Sequence, residues 1–379
     1  RGWAERPSLD PEALIRKAAG RAAPLDDPDN GWRTRLDVLC HDLETVAHLT
    51  PLGRTIAHGQ LVAALRNRRR LHALWQRHPE IADQPIRAPI IIVGQMRSGT
   101  TRIQRLLACD PRLAFTRFFE SWNPLPHRPR RAWLDDRMSV RLLNPAFGAI
   151  HPTHWNAADE EIGLQSVSIF GSAFEAQWRV PTYTAHVEAD DGIMAYDEFR
   201  RLLQTLAWLR RDDGLRPWIL KVPQFSQDLP ALLHTFPDAR LVCLSRDRHA
   251  VISSSASLVR NQMTLQSARV DPTWIGREWT RKVALRTQRM TEAVTRSGTP
   301  RVEVTYRAVD QDWHREIHRI YEMIDMSLPA TVLARMSDYM SASRSDRHAQ
   351  HRYPTIAMEH RLPSPGEPSG PVLAIQAAA

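Results

Sequence analysis

The sequence of 379 residues has few cysteines and no long apolar run, and each shortage argues against a class of protein. Its three cysteines, Cys40, Cys109 and Cys243, are far apart, odd in number and without the spacing of metal ligands. We therefore expect buried thiols in a reducing cytoplasm. No apolar stretch approaches the ~18 residues that a membrane-spanning helix requires, and the first residues show no signal-peptide pattern.

Lysine is also scarce, although the chain is basic. Only three of its 51 basic residues are lysines, and the formal net charge is +9. This charge favours anionic ligands. The arginines are spread through the chain, however, so we assign most of them to a solvated surface. Lys221 stands out because it ends an apolar run, and the guanidinium of arginine cannot imitate its compact ammonium group.

Apolar runs that alternate with helical patterns predict an α/β fold, a P-loop-like parallel sheet flanked by helices. The predicted strands are Ile90–Val93, Trp218–Leu220, Arg240–Leu244 and Val302–Tyr306. The predicted helices include Leu36–Leu43, Ile56–Leu74, Arg130–Leu143, Glu160–Phe174, Tyr196–Arg210, Asp228–Phe236 and Trp313–Met323. We divide the chain into an N-terminal helical segment packed on the core (1–88), an α/β domain (89–362) and a tail expected to be disordered (363–379).

The stretch Pro89–Leu107 carries the strongest functional signal. A β-branched strand is followed by a polar loop and then by helical spacing. In that arrangement the N–H groups of the loop and of the first helical turn converge on one position, which suits phosphate. Gly94 and Gly99 have the spacing of a nucleotide P-loop. The usual Gly-Lys-Ser/Thr ending is absent, however, and the cation lies inside the loop as Arg97.

Cationic groups follow three of the predicted strands. Arg97 follows the first, Lys221 the second and Arg246 the third. Ligands of open parallel sheets bind at the carboxyl ends of the strands, so these groups should meet at one edge. Three cations there suit a ligand with several phosphates.

The loop resembles the 5′-phosphosulfate loop of the sulfotransferases that use 3′-phosphoadenosine-5′-phosphosulfate (PAPS). The residues that carry this resemblance are Arg97, Ser98, Gly99, Thr100 and Thr101. In this family an Arg and, eight residues later, a Ser bind the 3′-phosphate. Arg246 and Ser254 have that spacing, and an arginine fork suits a terminal phosphate.

Two further segments are similar to this family. Leu220–Pro223 resembles the Leu-Lys-Ser/Ala-Pro segment of its bacterial branch. Arg344–Tyr353 resembles the late basic loop that closes over the 3′-phosphate, where Arg347 and His348 would be the contacts. The resemblance implies PAPS as sulfuryl donor, the 3′,5′-diphosphate PAP as product and no metal.

The implied chemistry is an in-line displacement at sulfur, in which the protein positions the reactants and stabilises charge on the leaving phosphate. Arg97, the loop amides and Lys221 would hold the 5′-phosphosulfate, and Lys221 would neutralise the bridging oxygen as it leaves. Cytosolic animal members use a His two residues after the strand-end Lys as general base. Pro223 occupies that position here, so another base is required.

Some bacterial members use a Glu downstream of the phosphate loop, and Glu120 matches that position. We expect its aromatic neighbours to desolvate it and to raise its pKa. Weaker candidates for the base are His151, His154, Glu160 and Glu161.

The acceptor is expected to be a small apolar alcohol or phenol, or less readily an amine. Aromatic residues in the stretches expected to wall its pocket are Phe118, Phe119, Trp122, Trp155, Phe170, Phe174 and Tyr183. A P-loop kinase or NTPase is the main alternative, but it requires a loop lysine and an Asp closing an apolar strand. A nucleic-acid-binding protein is the other, and no recognition-helix, zinc or aromatic-platform signature supports it.

Overall fold

A computed structural model describes residues 6–20, 31–125 and 156–345. Five strands form one parallel sheet in the order β2-β3-β1-β4-β5. The strands are β1 (Ile90–Gly94), β2 (Ala114–Phe115), β3 (Trp218–Lys221), β4 (Arg240–Ser245) and β5 (Arg301–Thr305). The predicted α/β fold, with a parallel sheet flanked by helices, is therefore confirmed.

Helices surround the sheet and also precede it. The α-helices of the described residues are Pro11–Ala19, Trp32–Thr45, Pro51–Arg77, Thr100–Leu107, Phe118–Trp122, Ile162–Ser166, Ser172–Gln177, Pro181–Ala189, Ile193–Arg210, Leu229–Thr235, Arg248–Gln266, Pro272–Ser297, Tyr306–Gln311, Trp313–Met323 and Ala330–Ser345. Short 3-10 turns cover Pro79–Asp83 and Pro223–Ser226. None of these helices combines the length and the apolar character needed to cross a membrane.

The apolar run of β1 is unbroken because both faces of the sheet are covered. Successive side chains of a strand point to opposite faces. Ile91 and Val93 join one hydrophobic cluster, with the N-terminal and middle helices. Ile90 and Ile92 join a second cluster, with the helices Thr100–Leu107 and Trp313–Met323. A strand buried on both sides cannot alternate apolar with polar residues, as is usual in parallel sheets.

The N-terminal helices share the first of these clusters with the sheet. Leu61 and Leu65 of the helix Pro51–Arg77 belong to the same cluster as Leu220 of β3. Thr50 caps that helix, and its N–H group donates to the Gln266 carbonyl at 2.9 Å. The expected N-terminal helices are thus present, whereas the division of the chain at residue 88 stays a prediction.

The structure differs from the predicted elements in three places. Glu160–Phe174 is not one helix, because the backbone turns at Ile169 (φ 49°) between two short helices. Strand β2 was not predicted, since two residues are too few to show a pattern. Tyr306 begins a helix instead of ending β5, because the Thr305 side chain caps that helix through the Ala308 N–H group. The predicted helix Arg130–Leu143 and the tail 363–379 lie outside the described residues.

Candidate active site

The loop after β1 is closed by its own hydrogen bonds. Both the N–H and the Oγ of Ser98 donate to the Gln95 carbonyl, at 3.1 and 2.6 Å. The Gly94 N–H donates to Ser226 Oγ at 2.9 Å, which ties the loop to the turn that follows β3. The helix Thr100–Leu107 starts directly afterwards, so its first N–H groups have no carbonyl one turn earlier to bond. These amides remain available to an anion at the helix start.

Two loop residues have left-handed backbone conformations. Gly99 has φ 94°, and a Cβ atom there would lie 2.9 Å from Cδ2 of Tyr306. Glycine is therefore required by both conformation and space. Arg97 has φ 70°, which is uncommon for a residue with a side chain and recurs at binding loops.

The two motifs predicted to bind phosphate touch each other. Arg97 Nε donates to Ser254 Oγ at 3.0 Å. Arg246 Nη1 donates to the Arg97 carbonyl at 2.8 Å. Ser254 lies within the helix Arg248–Gln266, two turns beyond Arg246. The loop and the helix that follows Arg246 therefore lie together at the carboxyl edge of the sheet, a junction that we call the cleft.

Lys221 reaches the same edge from β3. It is the last residue of that strand and is paired with Ile92 of β1, so its side chain emerges beside the loop. Its Nζ donates to Thr101 Oγ1 at 3.2 Å and forms an ion pair with Glu160 Oε1. The lysine is fully buried, whereas 14% of the Glu160 side chain is exposed. An ammonium and a carboxylate thus lie together at the start of the loop helix.

Glu161, the neighbour of Glu160, is fully buried below this pair. Its Oε2 accepts a hydrogen bond from the backbone N–H of Lys221 at 2.8 Å. Burial is the dominant influence and raises the pKa of Glu161 to about 8. The hydrogen bond from Lys221, the charge of Lys221 and the nearby Thr116 hydroxyl act in the opposite direction.

Glu120 has different partners from those expected of a base. It forms a bidentate ion pair with Arg210. Arg210 Nε donates to Glu120 Oε1 at 3.0 Å, and Arg210 Nη2 donates to Glu120 Oε2. Its Oε2 also accepts from the Arg117 N–H at 2.9 Å, which caps the helix Phe118–Trp122. These contacts pair Glu120 with a cation and with the start of a helix. None of the hydrogen bonds described for Glu120 leads to the loop or to Lys221.

Tyr306 lies against the loop and Arg246, a contact that the sequence did not reveal. The Arg246 guanidinium lies over its ring, 4.2 Å from the centroid, and the Arg102 guanidinium is 5.4 Å from it. The same ring lies against Gly99. The available signal was its position, since it directly follows β5 at the carboxyl edge of the sheet where the other site residues meet.

Other predicted residues lie elsewhere or outside the described ranges. Phe170, Phe174 and Tyr183 are buried in the first hydrophobic cluster, so they form core and not an open pocket wall. Within the described ranges, no three His, Cys, Asp or Glu side chains come together in a way that could hold a metal ion. The predicted site residues outside those ranges are His151, His154, Trp155, Arg347 and His348.

Comparison with known proteins agrees with this geometry. Residues 89–330, more than half of the chain, match the model of a family described as the sulfotransferase family. The crystal structure of sulfotransferase STF1 from Mycobacterium tuberculosis H37Rv is similar with a TM-score of 0.79 and 25% identity, over 89% of this chain and 94% of that one. Sulfotransferase STF9 from Mycobacterium avium has a TM-score of 0.80 and 26% identity, over 92% and 91%. No curated protein matches the chain. The chain belongs to the sulfotransferase family.

Proposed function

We propose that this protein moves a sulfuryl group from PAPS to a hydroxyl of a small apolar acceptor, by in-line displacement with a carboxylate as general base. The observation that carries the proposal is the contact between the two phosphate motifs. Arg97 reaches Ser254 at 3.0 Å, and Arg246 reaches the Arg97 backbone at 2.8 Å. One ligand with phosphates at both ends can therefore bridge them. Family membership favours this reaction over that of a P-loop kinase.

The groups that meet at the cleft fit such a donor. They are two guanidinium groups, an ammonium group, the hydroxyl groups of Thr101 and Ser254 and the first amides of a helix, all of which can donate to anions. By resemblance, the loop residues Arg97 to Thr101 would hold the 5′-phosphosulfate, and Arg246 with Ser254 the 3′-phosphate. Bound PAPS would supply the sulfuryl group and a phosphate leaving group.

The protein's contribution is positioning and charge stabilisation. Lys221 is held at the loop by Thr101 and is buried, so its ammonium acts in a poorly hydrated environment where charge interactions are strong. It would stabilise the negative charge that develops on the leaving oxygen. The loop amides and Arg97 would fix the donor in line with the acceptor.

The contacts favour Glu160 over Glu120 as the base. Glu160 Oε1 accepts a hydrogen bond from Lys221. Glu160 Oε2 takes part in none of the hydrogen bonds described, so that oxygen can take the proton of the acceptor. Glu120 has both oxygens engaged by Arg210. We therefore revise the sequence-based expectation and propose Glu160 as the group that removes the proton.

The state of the cysteines supports a reducing, cytoplasmic compartment. Cys40, Cys109 and Cys243 are all free thiols. Burial raises the pKa of both Cys40 and Cys243 to about 12, which keeps these two thiols protonated and unreactive.

The test is transfer from labelled PAPS to a panel of phenols, alcohols, amines and glycans, with PAP binding measured by calorimetry. We expect product with at least one phenol or alcohol, and PAP binding without added metal. Arg97→Ala should weaken both, whereas Arg301→Ala, which removes an exposed arginine at the amino end of β5, should change neither. Failure of the wild-type protein to bind PAP would refute the proposal. Mg²⁺-dependent binding of ATP in its place would revive the kinase alternative.

A further inference from the structure

Two consecutive glutamates bind the side-chain ammonium group and the backbone N–H of the same lysine. Glu160 pairs with the Lys221 ammonium, and Glu161 accepts the Lys221 backbone N–H at 2.8 Å. Glu160 lies at the cleft, whereas Glu161 is completely buried. The proposed function uses Glu160 and Lys221 directly and leaves the role of Glu161 open.

Glu161 completes the sheet where β2 is too short. Strand β2 pairs with β3 only as far as Phe115 and Ile219. If β2 continued in the same register, the Thr116 carbonyl would accept a hydrogen bond from the Lys221 N–H. That carbonyl instead accepts from the Asp159 N–H at 3.1 Å. The Glu161 carboxyl group takes its place, which matters because a buried N–H without an acceptor is costly.

The surroundings of Glu161 disfavour a second negative charge. Within the described residues, neither Glu161 Oε1 nor Thr116 Oγ1 has a hydrogen-bond partner. The Thr116 hydroxyl nevertheless lies near enough to favour the ionised form of Glu161 slightly. Lys221 is the facing cation, and it is already paired with Glu160. On the elements packed around Glu161, Glu120 is paired with Arg210, Glu198 with Arg68, and Glu175 with Lys282 and Arg286. Asp159, a buried carboxyl group two residues earlier, accepts a hydrogen bond from the Glu160 N–H.

We propose that Glu161 is a positioning residue whose neutral carboxyl group fixes the Lys221 backbone and leaves the Lys221 ammonium paired with Glu160 alone, so that ionisation of Glu161 weakens binding of the anionic donor. This inference rests on the proposed function. Its physical basis is the charge at the cleft. The charges of Lys221 and Glu160 offset each other, which leaves the charges of Arg97 and Arg246 to attract the phosphates. An ionised Glu161 would add a poorly screened negative charge directly behind the lysine.

The test is the pH dependence of PAP affinity and of kcat/KM for PAPS in three proteins. In the wild type we expect both to fall as the pH rises through about 8, by at most about tenfold per pH unit because one proton is lost. Glu161→Gln keeps an oxygen acceptor for the Lys221 N–H but cannot ionise. It should therefore lack the alkaline fall. Thr116→Val removes a hydroxyl that favours the ionised form, so its fall should move to higher pH.

A second readout does not depend on activity. The infrared carbonyl stretch of a protonated carboxyl group should be present in the wild type at about pH 7, disappear through about pH 8 and be missing from Glu161→Gln. An unchanged alkaline fall in Glu161→Gln, or no such band in the wild type, would overturn the inference. If the wild type fails to bind PAP at all, the proposed function fails, while the infrared titration still tests Glu161.

Discussion

Replacing Glu160 with glutamine tests the proposed base against Glu120, the base that the sequence suggests. The substitution removes the proton acceptor but keeps an amide oxygen for the Lys221 ammonium. A general base contributes about 100- to 10,000-fold to rate, which corresponds to about 3 to 5 kcal/mol of activation free energy. We expect kcat of Glu160→Gln to fall by that factor. PAP should bind at least as tightly as to the wild type, because the cleft loses one negative charge.

Glu120→Gln is the matched control, since it makes the same chemical change beside a different cation. Arg210 is 16% exposed and its guanidinium lies 4.9 Å from the centroid of the Trp218 ring. Removing one partner of a buried ion pair costs about 3 to 5 kcal/mol, because the other charge stays buried. We expect Glu120→Gln to unfold at clearly lower denaturant concentration, with kcat within about threefold of the wild type while it is folded.

The assay is initial-rate kinetics with PAPS and the best phenol or alcohol of the panel, together with urea unfolding followed by tryptophan fluorescence. The reasoning would be refuted by the opposite pattern. If Glu120→Gln loses turnover at unchanged stability while Glu160→Gln remains active, the base is Glu120, as the sequence alone suggested.

Three further outcomes are expected. Arg246→Ala should weaken PAP binding about 10- to 100-fold by calorimetry, the usual loss for a charge-assisted hydrogen bond, and an unchanged affinity would remove Arg246 from the phosphate site. Gly99→Ala should reduce the free energy of PAP binding by more than it reduces the free energy of unfolding, because its Cβ would lie 2.9 Å from the Tyr306 ring and displace the loop. Equal reductions in the two free energies would indicate a general packing defect. Burial of Glu198 opposes its ionisation, but hydrogen bonding and the charge of Arg68 lower its pKa to about 2, so it stabilises the fold above about pH 4.5 by about 3 kcal/mol. That contribution should be lost as the pH falls toward about 2, and Glu198→Gln should show a flatter stability profile over this range.

The positions of the loop and of Arg246 and Ser254 were predictable because their signals are local. The β-branched run before Gly94 and the eight-residue spacing from Arg246 to Ser254 are properties of short stretches. The choice of Glu160 as the proposed base was not predictable in this way. Glu120 and Glu160 both follow the loop, and what distinguishes them is their cation, Arg210 for one and Lys221 for the other. A sequence does not reveal which distant arginine a carboxylate will meet.

Strand β2 was unpredictable for a related reason. Two residues, Ala114 and Phe115, cannot show periodicity, and their place in the sheet is fixed by pairing with β3. The early end of that strand is nevertheless what leaves the Lys221 N–H to a side chain. Tertiary contacts thus determine both the missed strand and the site detail that depends on it.

The close approach of the helix Pro51–Arg77 to Arg248–Gln266 has a consequence for protein engineering. A Cβ atom on Gly53 would lie 1.9 Å from the Gln266 carbonyl oxygen, so the two backbones meet without room for a side chain. The second of these helices carries Ser254 near its other end. A fragment trimmed to begin at Pro89, where the family match starts, would lose the helices that pack against the sheet beside the proposed phosphate site. Expression vectors and fusion partners should therefore retain the helices that precede the sheet.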